Sequence, residues 1–281
     1  MTELLTAQQL DHYHREGYVV LDNYVSESWL QRLNEVTDDF VEQSKAISES
    51  NSQFDIELNH SARSPRLRRL NSPVDQHPTY WEFASKSEIV DLAESVLGPD
   101  IKFHHGKLNF KYPQGGEEVK WHQDIQFWPH TNYDLITIGV YLKDVVHGQG
   151  EMGFIPKSHA GDLFDQYDGD RWVGYIQDRD LPKVDVKGAV FPVGKAGTVT
   201  IHNCRTIHGS YPNDSASQRP LLLQTYTAAD AFAYTDLVRK SPHGEELIRG
   251  KPARWARHDP RPCQVPPTKI GTIFQAQQKE M

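Results

Sequence analysis

The chain has 281 residues, 37 % hydrophobic and 24 % charged, with a formal net charge of −8. That acidic balance argues against nucleic acid or an anionic membrane as partner, and no run approaches the roughly 18 apolar residues of a membrane span. Two cysteines, Cys204 and Cys263, supply neither a disulfide framework nor a thiolate zinc site. With no basic and apolar leader at Met1–Thr6, a reducing cytoplasm is the expected setting.

In chain order, Leu4–Glu16 reads as a helix with Thr6 as N-cap and Gly17 as its stop. Tyr18–Leu21 reads as a strand. Ser26 then caps a second helix that places Leu30, Leu33, Val36 and Phe40 at helical spacing. Asn51–Pro78 is polar and aperiodic, and it holds Arg63, Arg66, Arg68 and Arg69. A solvated charge run is the favoured reading there, with an anion-recognition loop or lid as the other. Thr79–Leu97 is predicted as one helix, ended by Gly98-Pro99.

From Ile101 the texture changes to short strands and turns, the pattern of an all-β barrel or sandwich. Ile101–Tyr112 alternates Lys107, Asn109 and Lys111 with Leu108, Phe110 and Tyr112. Lys111 meets an anion if that polar face lines an interior; otherwise it is an ordinary exposed lysine. Trp121–Ile125 has strand character, and residues two apart on a strand share a face. His122 and Asp124 then project side by side as two thirds of a 2-His-1-carboxylate site, which suits iron(II) and leaves positions open. In the next strand, Leu135–Leu142, the residues Ile136, Ile138, Val140 and Leu142 alternate with Thr137, Gly139 and Tyr141. One side packs on helices and the other opens to a site.

Met152–Pro156 is a short strand. His159 follows it in a loop, without a carboxylate two residues away, and reads as a hydrogen-bonding residue. Gly161–Lys187 is acidic and irregular, a surface excursion whose Trp172 and Tyr175 either cover a substrate or anchor the loop. Thr198–His202 and Thr206–Tyr211 are strands, and His208 on the second is the best candidate for the third metal ligand. The turn-rich Pro212–Ser217 leads to the strand Arg219–Thr227, and a hairpin between these strands is expected to set Arg219 beside Ser210 and His208. Arg219 offers a rigid fork for a carboxylate. The tail from Ala228 is polar and Pro-rich, with Tyr234, Arg254, Trp255 and Arg257, and wraps the barrel.

The order of N-terminal helices, His122-Gln123-Asp124, Ile155-Pro156-Lys157-Ser158-His159, Ala196-Gly197-Thr198 and His208-Gly209-Ser210 to Arg219 resembles the phytanoyl-CoA dioxygenase family. The likeness runs from about Leu10 to Tyr226, with Gly148-Gln149-Gly150 and Pro156-Lys157 departing from the family's turns. It implies an iron(II)- and 2-oxoglutarate-dependent oxygenase that uses O2. The implied fold is mainly β with flanking α, a double-stranded β-helix (jelly-roll, cupin-like) core with helices packed outside. A single domain over 1–281 follows, with a helical part at about 1–100, the jelly roll at about 101–227 and the tail at 228–281. Carried across, His122, Asp124 and His208 are the iron ligands and Arg219 the partner of the distal carboxylate of 2-oxoglutarate. Ser210, Lys111 and Thr137 complete the cosubstrate set. The presence of Asp124 favours hydroxylation over the halogenation of relatives that lack this carboxylate.

The expected reaction oxidises an unactivated C–H bond of a small organic metabolite, releasing succinate and CO2. The competing reading is a cupin-like metal-binding isomerase or non-catalytic barrel, which would have no use for Arg219 or Ser210.

Overall fold

The computed structural model describes residues 4–236, 241–268 and 273–277. Its strands are β1 (Tyr18–Leu21), β2 (Phe54–Ile56), β3 (Leu67–Asn71), β4 (Ile101–Asn109), β5 (Val119–His122), β6 (Leu135–Tyr141), β7 (Met152–Phe154), β8 (Tyr167–Asp168), β9 (Arg171–Trp172), β10 (Val199–Asn203), β11 (His208–Ser210), β12 (Leu221–Ala228) and β13 (Leu247–Arg249). The helices are α1 (Ala7–Glu16), α2 (Glu27–Ser44), α3 (Pro73–Gln76), α4 (Pro78–Lys86), α5 (Ile89–Leu97) and α6 (Ile273–Gln277). An eight-stranded antiparallel sheet runs β1-β10-β6-β12-β4-β3-β2, with β13 also on β4, and faces a three-stranded sheet β5-β11-β7. This is the jelly-roll arrangement.

Local chemistry explains the first elements. Thr6 and Gln9 form a reciprocal capping box, and Gly17 ends α1 in the left-handed region at φ 84°. Ser26 occupies the N-cap position of α2, but its hydroxyl makes no capping bond; its N–H donates to Glu88 Oε1 at 2.9 Å. The predicted helix over 79–97 is two helices. Ser87 sits in extended backbone at ψ 176°, and its hydroxyl donates to Phe83 O at 2.5 Å, so a short polar side chain competes with the helical ladder and ends α4.

The main core lies between the outer face of the large sheet and α2, α4 and α5. Ile136, Ile138, Val140 and Leu142 point into it as their alternation predicts, against Leu33, Phe40, Phe83 and Leu92. Tyr226 on β12 ties sheet to helix through a bond from its hydroxyl to Ala84 O at 2.6 Å.

Three expectations change. First, residues 51–78 are not a solvated charge run. They supply β2 and β3 to the large sheet, and Arg68 and Arg69 are buried. Arg68 pairs with Asp55 at 3.1 Å and with Glu117, and Arg66 with Glu57 at 2.5 Å. The arginines break the apolar alternation because polar partners meet them inside the fold: carboxylates for Arg66 and Arg68, and Asn109 Oδ1 at 2.8 Å for Arg69.

Second, Gly161–Lys187 is a surface excursion only at its two ends: its middle, Trp172 to Gln177, is buried, and Ile176 N–H donates to Trp121 O at 2.8 Å. Third, β11 and β12 do not form a hairpin. β11 pairs with β5 and β7, while β12 pairs with β4 and β6. The chain crosses between sheets at Pro212–Gln218, and Arg219 is bonded through its backbone to Lys111, N to O at 2.9 Å and 3.2 Å in return. The tail does hold to the barrel: β13 extends the sheet at β4, and Arg257 pairs with Asp230 at 2.9 Å.

Leu92 is fully buried in the helix–sheet core. Leu92→Ala is expected to cost about 2–5 kcal/mol through lost transfer energy and the cavity left behind, read as a lower urea midpoint at unchanged slope.

Candidate metal and cosubstrate site

The centre of the site is a cross-strand pair. In the β5–β11 ladder, His122 stands directly opposite His208, a register that brings side chains within about 5 Å at Cβ. Their ring centroids are 4.1 Å apart. Gly209 makes the close approach possible, since a Cβ there would meet Val119 O at 2.9 Å. Each imidazole is oriented by the carbonyl two residues before it. His122 Nδ1 lies 2.8 Å from Lys120 O and His208 Nδ1 2.9 Å from Thr206 O. A carbonyl only accepts, so Nδ1 carries the proton in both and Nε2 is left as a lone pair.

Asp124 is not on the strand. β5 ends at His122, and Asp124 begins a 3₁₀ turn, Asp124–Gln126. The turn still directs the carboxylate back to the histidines, with Oδ1 3.7 Å from His122 Nε2 and 3.8 Å from His208 Nε2. These three ligand atoms lie within 4.8 Å of one another in a buried group. The other oxygen, Oδ2, faces away from them, toward Thr137 Oγ1 at 3.2 Å and His202 Nε2 at 3.5 Å. Thr137 therefore sits with the carboxylate rather than in the cavity with Arg219.

Burial alone would raise the Asp124 carboxyl. Lys107, with Nζ 4.0 Å from Oδ1, and the His208, His122 and His202 rings packed beside it outweigh it and hold the group well below the usual range. Burial also keeps His208 well below its ordinary value, and it lowers His202 against the pull of Asp124.

One cavity joins this cluster to Arg219. Its lining includes His122, His208, Ser210, Lys111, Arg219 and Lys107. Arg219 is 3 % exposed. Its Nη2 donates to Gly150 O at 2.8 Å, whereas Nε and Nη1 have no partner among the described residues. Burial lowers its guanidinium to about 10. Lys111 is buried as well, so the exposed alternative is excluded. Its Nζ donates to Ser210 O at 3.1 Å and to Tyr211 O, and burial lowers it well below its usual value. The hairpin was not needed for this assembly: the facing sheets bring Arg219 and Ser210 to the same cavity.

Several residues here carried no role in the sequence reading. Lys107 lay on the polar face of its strand without an assignment. His202 shares the inner face of β10 with Thr200, a polar alternation that could have marked it. Phe274 gave no signal: it is 5 % exposed, lines the cavity, and stands 5.0 Å from Arg69 and 5.4 Å from Arg68. Trp172 packs edge-on against Phe127, which packs edge-on against His122. His159 is remote from the cluster and bonds to His14 O at 3.1 Å.

The phytanoyl-CoA dioxygenase (PhyH) family profile matches residues 13–221, and the chain belongs to that family. It is an iron(II)- and 2-oxoglutarate-dependent dioxygenase, with O2 as co-reactant. The chain is 29 % identical to a probable alpha-ketoglutarate-dependent hypophosphite dioxygenase of Stutzerimonas stutzeri, over 92 % of each chain. It is 23 % identical to the ectoine dioxygenase of Sphingopyxis alaskensis, over 89 % of this chain and 82 % of the relative. The solved structure of EctD from S. alaskensis with bound Fe shares the fold at a TM-score of 0.70, covering 90 % of this chain and 87 % of that one at 23 % identity. No helix among the described residues is long and apolar enough to cross a membrane.

The buried histidines make a prediction for the metal-free protein. His104, His105, His202 and His208 are all lowered by burial, His105 to about 3. Each takes up a proton near pH 6.5 once unfolded. Below that pH the unfolded chain binds more protons than the folded one. Stability is therefore lost as pH falls through about 6.5, by up to about 1.4 kcal/mol per pH unit for each histidine. Urea midpoints of chelator-treated protein at about pH 7.5 and pH 5.5 check this; a pH-independent midpoint would contradict it.

Proposed function

We propose that His122 Nε2, Asp124 Oδ1 and His208 Nε2 hold iron(II), and that Arg219 binds the distal carboxylate of 2-oxoglutarate. The observation that carries this reading is Arg219 itself. A buried guanidinium with two donors unpartnered costs free energy unless an anion meets it. The donor set fits too: two imidazoles, each with its Nδ1 tied to a carbonyl so that Nε2 is the nitrogen open to a metal, and one ionised carboxylate form the facial set that suits iron(II). Bound there, iron(II) with 2-oxoglutarate supplies the O2 activation that side chains cannot.

The chain's own groups have separate tasks. Thr137 donates to Asp124 Oδ2 and His202 packs beside it, which fixes the direction of Oδ1. Lys111 bonds to the Ser210 and Tyr211 carbonyls and so fixes that end of β11 next to Arg219. Phe274, Phe127 and Trp172 form an apolar cover that excludes water from the charged interior.

The substrate reading is a small organic metabolite bearing an anionic group, hydroxylated at an unactivated C–H bond. One oxygen atom of O2 enters the C–H bond to give a hydroxyl, and the other enters succinate as 2-oxoglutarate loses CO2. Charge supports the anion. Iron(II), Asp124, dianionic 2-oxoglutarate and Arg219 balance among themselves, which leaves Lys107 and Lys111 on the cavity wall as further positive charges for another anion, Lys111 being tied to two carbonyls. The same feature favours a second reading, a small phosphorus oxyanion oxidised at a P–H bond, in keeping with the hypophosphite named as the substrate of the Stutzerimonas relative.

Succinate release measured over a panel of small anions, hypophosphite included, separates the two readings by the product formed. Arg219→Ala is expected to raise the KM for 2-oxoglutarate by about 10- to 150-fold, the worth of a charge-assisted bond, at unchanged iron(II) affinity. Lys107→Met is expected to raise the KM for the anionic substrate while leaving that for 2-oxoglutarate in place. Equal 2-oxoglutarate kinetics in wild type and Arg219→Ala would contradict the assignment.

A further inference from the structure

A second group of donors lies in the same barrel, outside the triad. His104 on β4, His130 in the β5–β6 connection and Glu245 just before β13 present ligand atoms that all lie within 4.8 Å of one another. His104 and His130 are 0 % and 1 % exposed, and Nε2 of each has no hydrogen-bond partner among the described residues. His130 Nδ1 lies 2.6 Å from Trp128 O, so that nitrogen carries the proton and Nε2 is a bare lone pair. His122 and His208 are held in the same way, each by the carbonyl two residues earlier. His104 Nδ1 is occupied by His105 Nδ1 at 2.7 Å, which leaves Nε2 facing the group.

The carboxylate is positioned as deliberately as the imidazoles. Glu245 takes the left-handed conformation at φ 67°. Its N–H donates to Phe103 O at 2.8 Å, and Phe103 N–H to Glu246 O at 2.9 Å, so the segment is laced to β4 next to His104. Lys102 Nζ meets Glu245 Oε2 at 2.5 Å and Ala231 O at 2.8 Å; a carboxylate has a second oxygen to give. With His104 Nδ1 as the donor to His105 Nδ1, both imidazole Nε2 atoms and the free carboxylate oxygen are acceptors, and they cannot satisfy one another.

We infer that His104, His130 and Glu245 form a second divalent-metal site, with two imidazole nitrogens, one carboxylate oxygen and water as the fourth ligand. The borderline N₂O donor set suits zinc. The site joins three segments distant in sequence, β4, the connection after Asp124 and the strand-forming tail at 241–249. An ion there clamps the tail to the barrel, and its binding energy adds to folding.

The test uses the full chain, stripped with chelator, loaded with excess zinc chloride, desalted and analysed for metal. Wild type is expected to retain two equivalents. His130→Ala should retain one, and His122→Ala/His208→Ala should also retain one, so the two sites are counted independently of any activity or of the role proposed for the triad. Glu245→Gln, on a half-exposed side chain that leaves the core intact, should bind the second equivalent at least about tenfold more weakly. Equal zinc retention in wild type and His130→Ala overturns the site. If His130→Ala does not fold, Glu245→Gln decides, and wild-type affinity for both equivalents overturns it.

Discussion

The site depends on one register. His122 and His208 face each other across the β5–β11 ladder, and a slip of one residue would turn one of them to the opposite face of the sheet. Gly209 enforces the close approach, and the carbonyls of Lys120 and Thr206 fix both rings. The strand gives way to a turn at Asp124 only after His122 is placed, so backbone geometry sets all three donors before any ion is involved. Two of the donors sit on paired strands, and a site on a sheet gains accuracy over one on a loop.

Around that register the interior is polar on purpose. A jelly roll with an apolar lumen would be more stable, since buried charges cost free energy unless paired. Here Asp124 is compensated by Lys107 and by the bond from Thr137, while Arg219 keeps two nitrogens without a partner among the described residues. The large apolar core lies outside the barrel, between the sheet and α2, α4 and α5. Stability is supplied there, and the lumen is free to carry chemistry.

Much of this was legible in the sequence, for reasons that differ by element. The alternation of Ile136, Ile138 and Val140 with Thr137 and Gly139 encodes an inside and an outside, and the strand bears it out. Thr6 and Gly17 spell a helix start and stop in local chemistry. The pairing of β11 was not legible, because a turn-rich linker serves a hairpin and a crossover between sheets equally well. Arg68 and Arg69 read as solvated because a single sequence does not show that Asp55 and Glu117 will meet Arg68. Phe274 reaches the cavity from the far end of the chain, with no periodic signal in its five-residue helix to announce it.

The most direct measurement is anaerobic addition of iron(II) and then 2-oxoglutarate to metal-free protein, followed by visible absorption. Chelation of the keto acid to iron(II) in a site with open positions gives a charge-transfer band. The account predicts that band in wild type and its loss in His208→Ala, with near-ultraviolet circular dichroism showing the variant folded. A protein that binds iron(II) without the band, or a His208→Ala variant that keeps it undiminished, would contradict the claim that this register builds the metal and cosubstrate site.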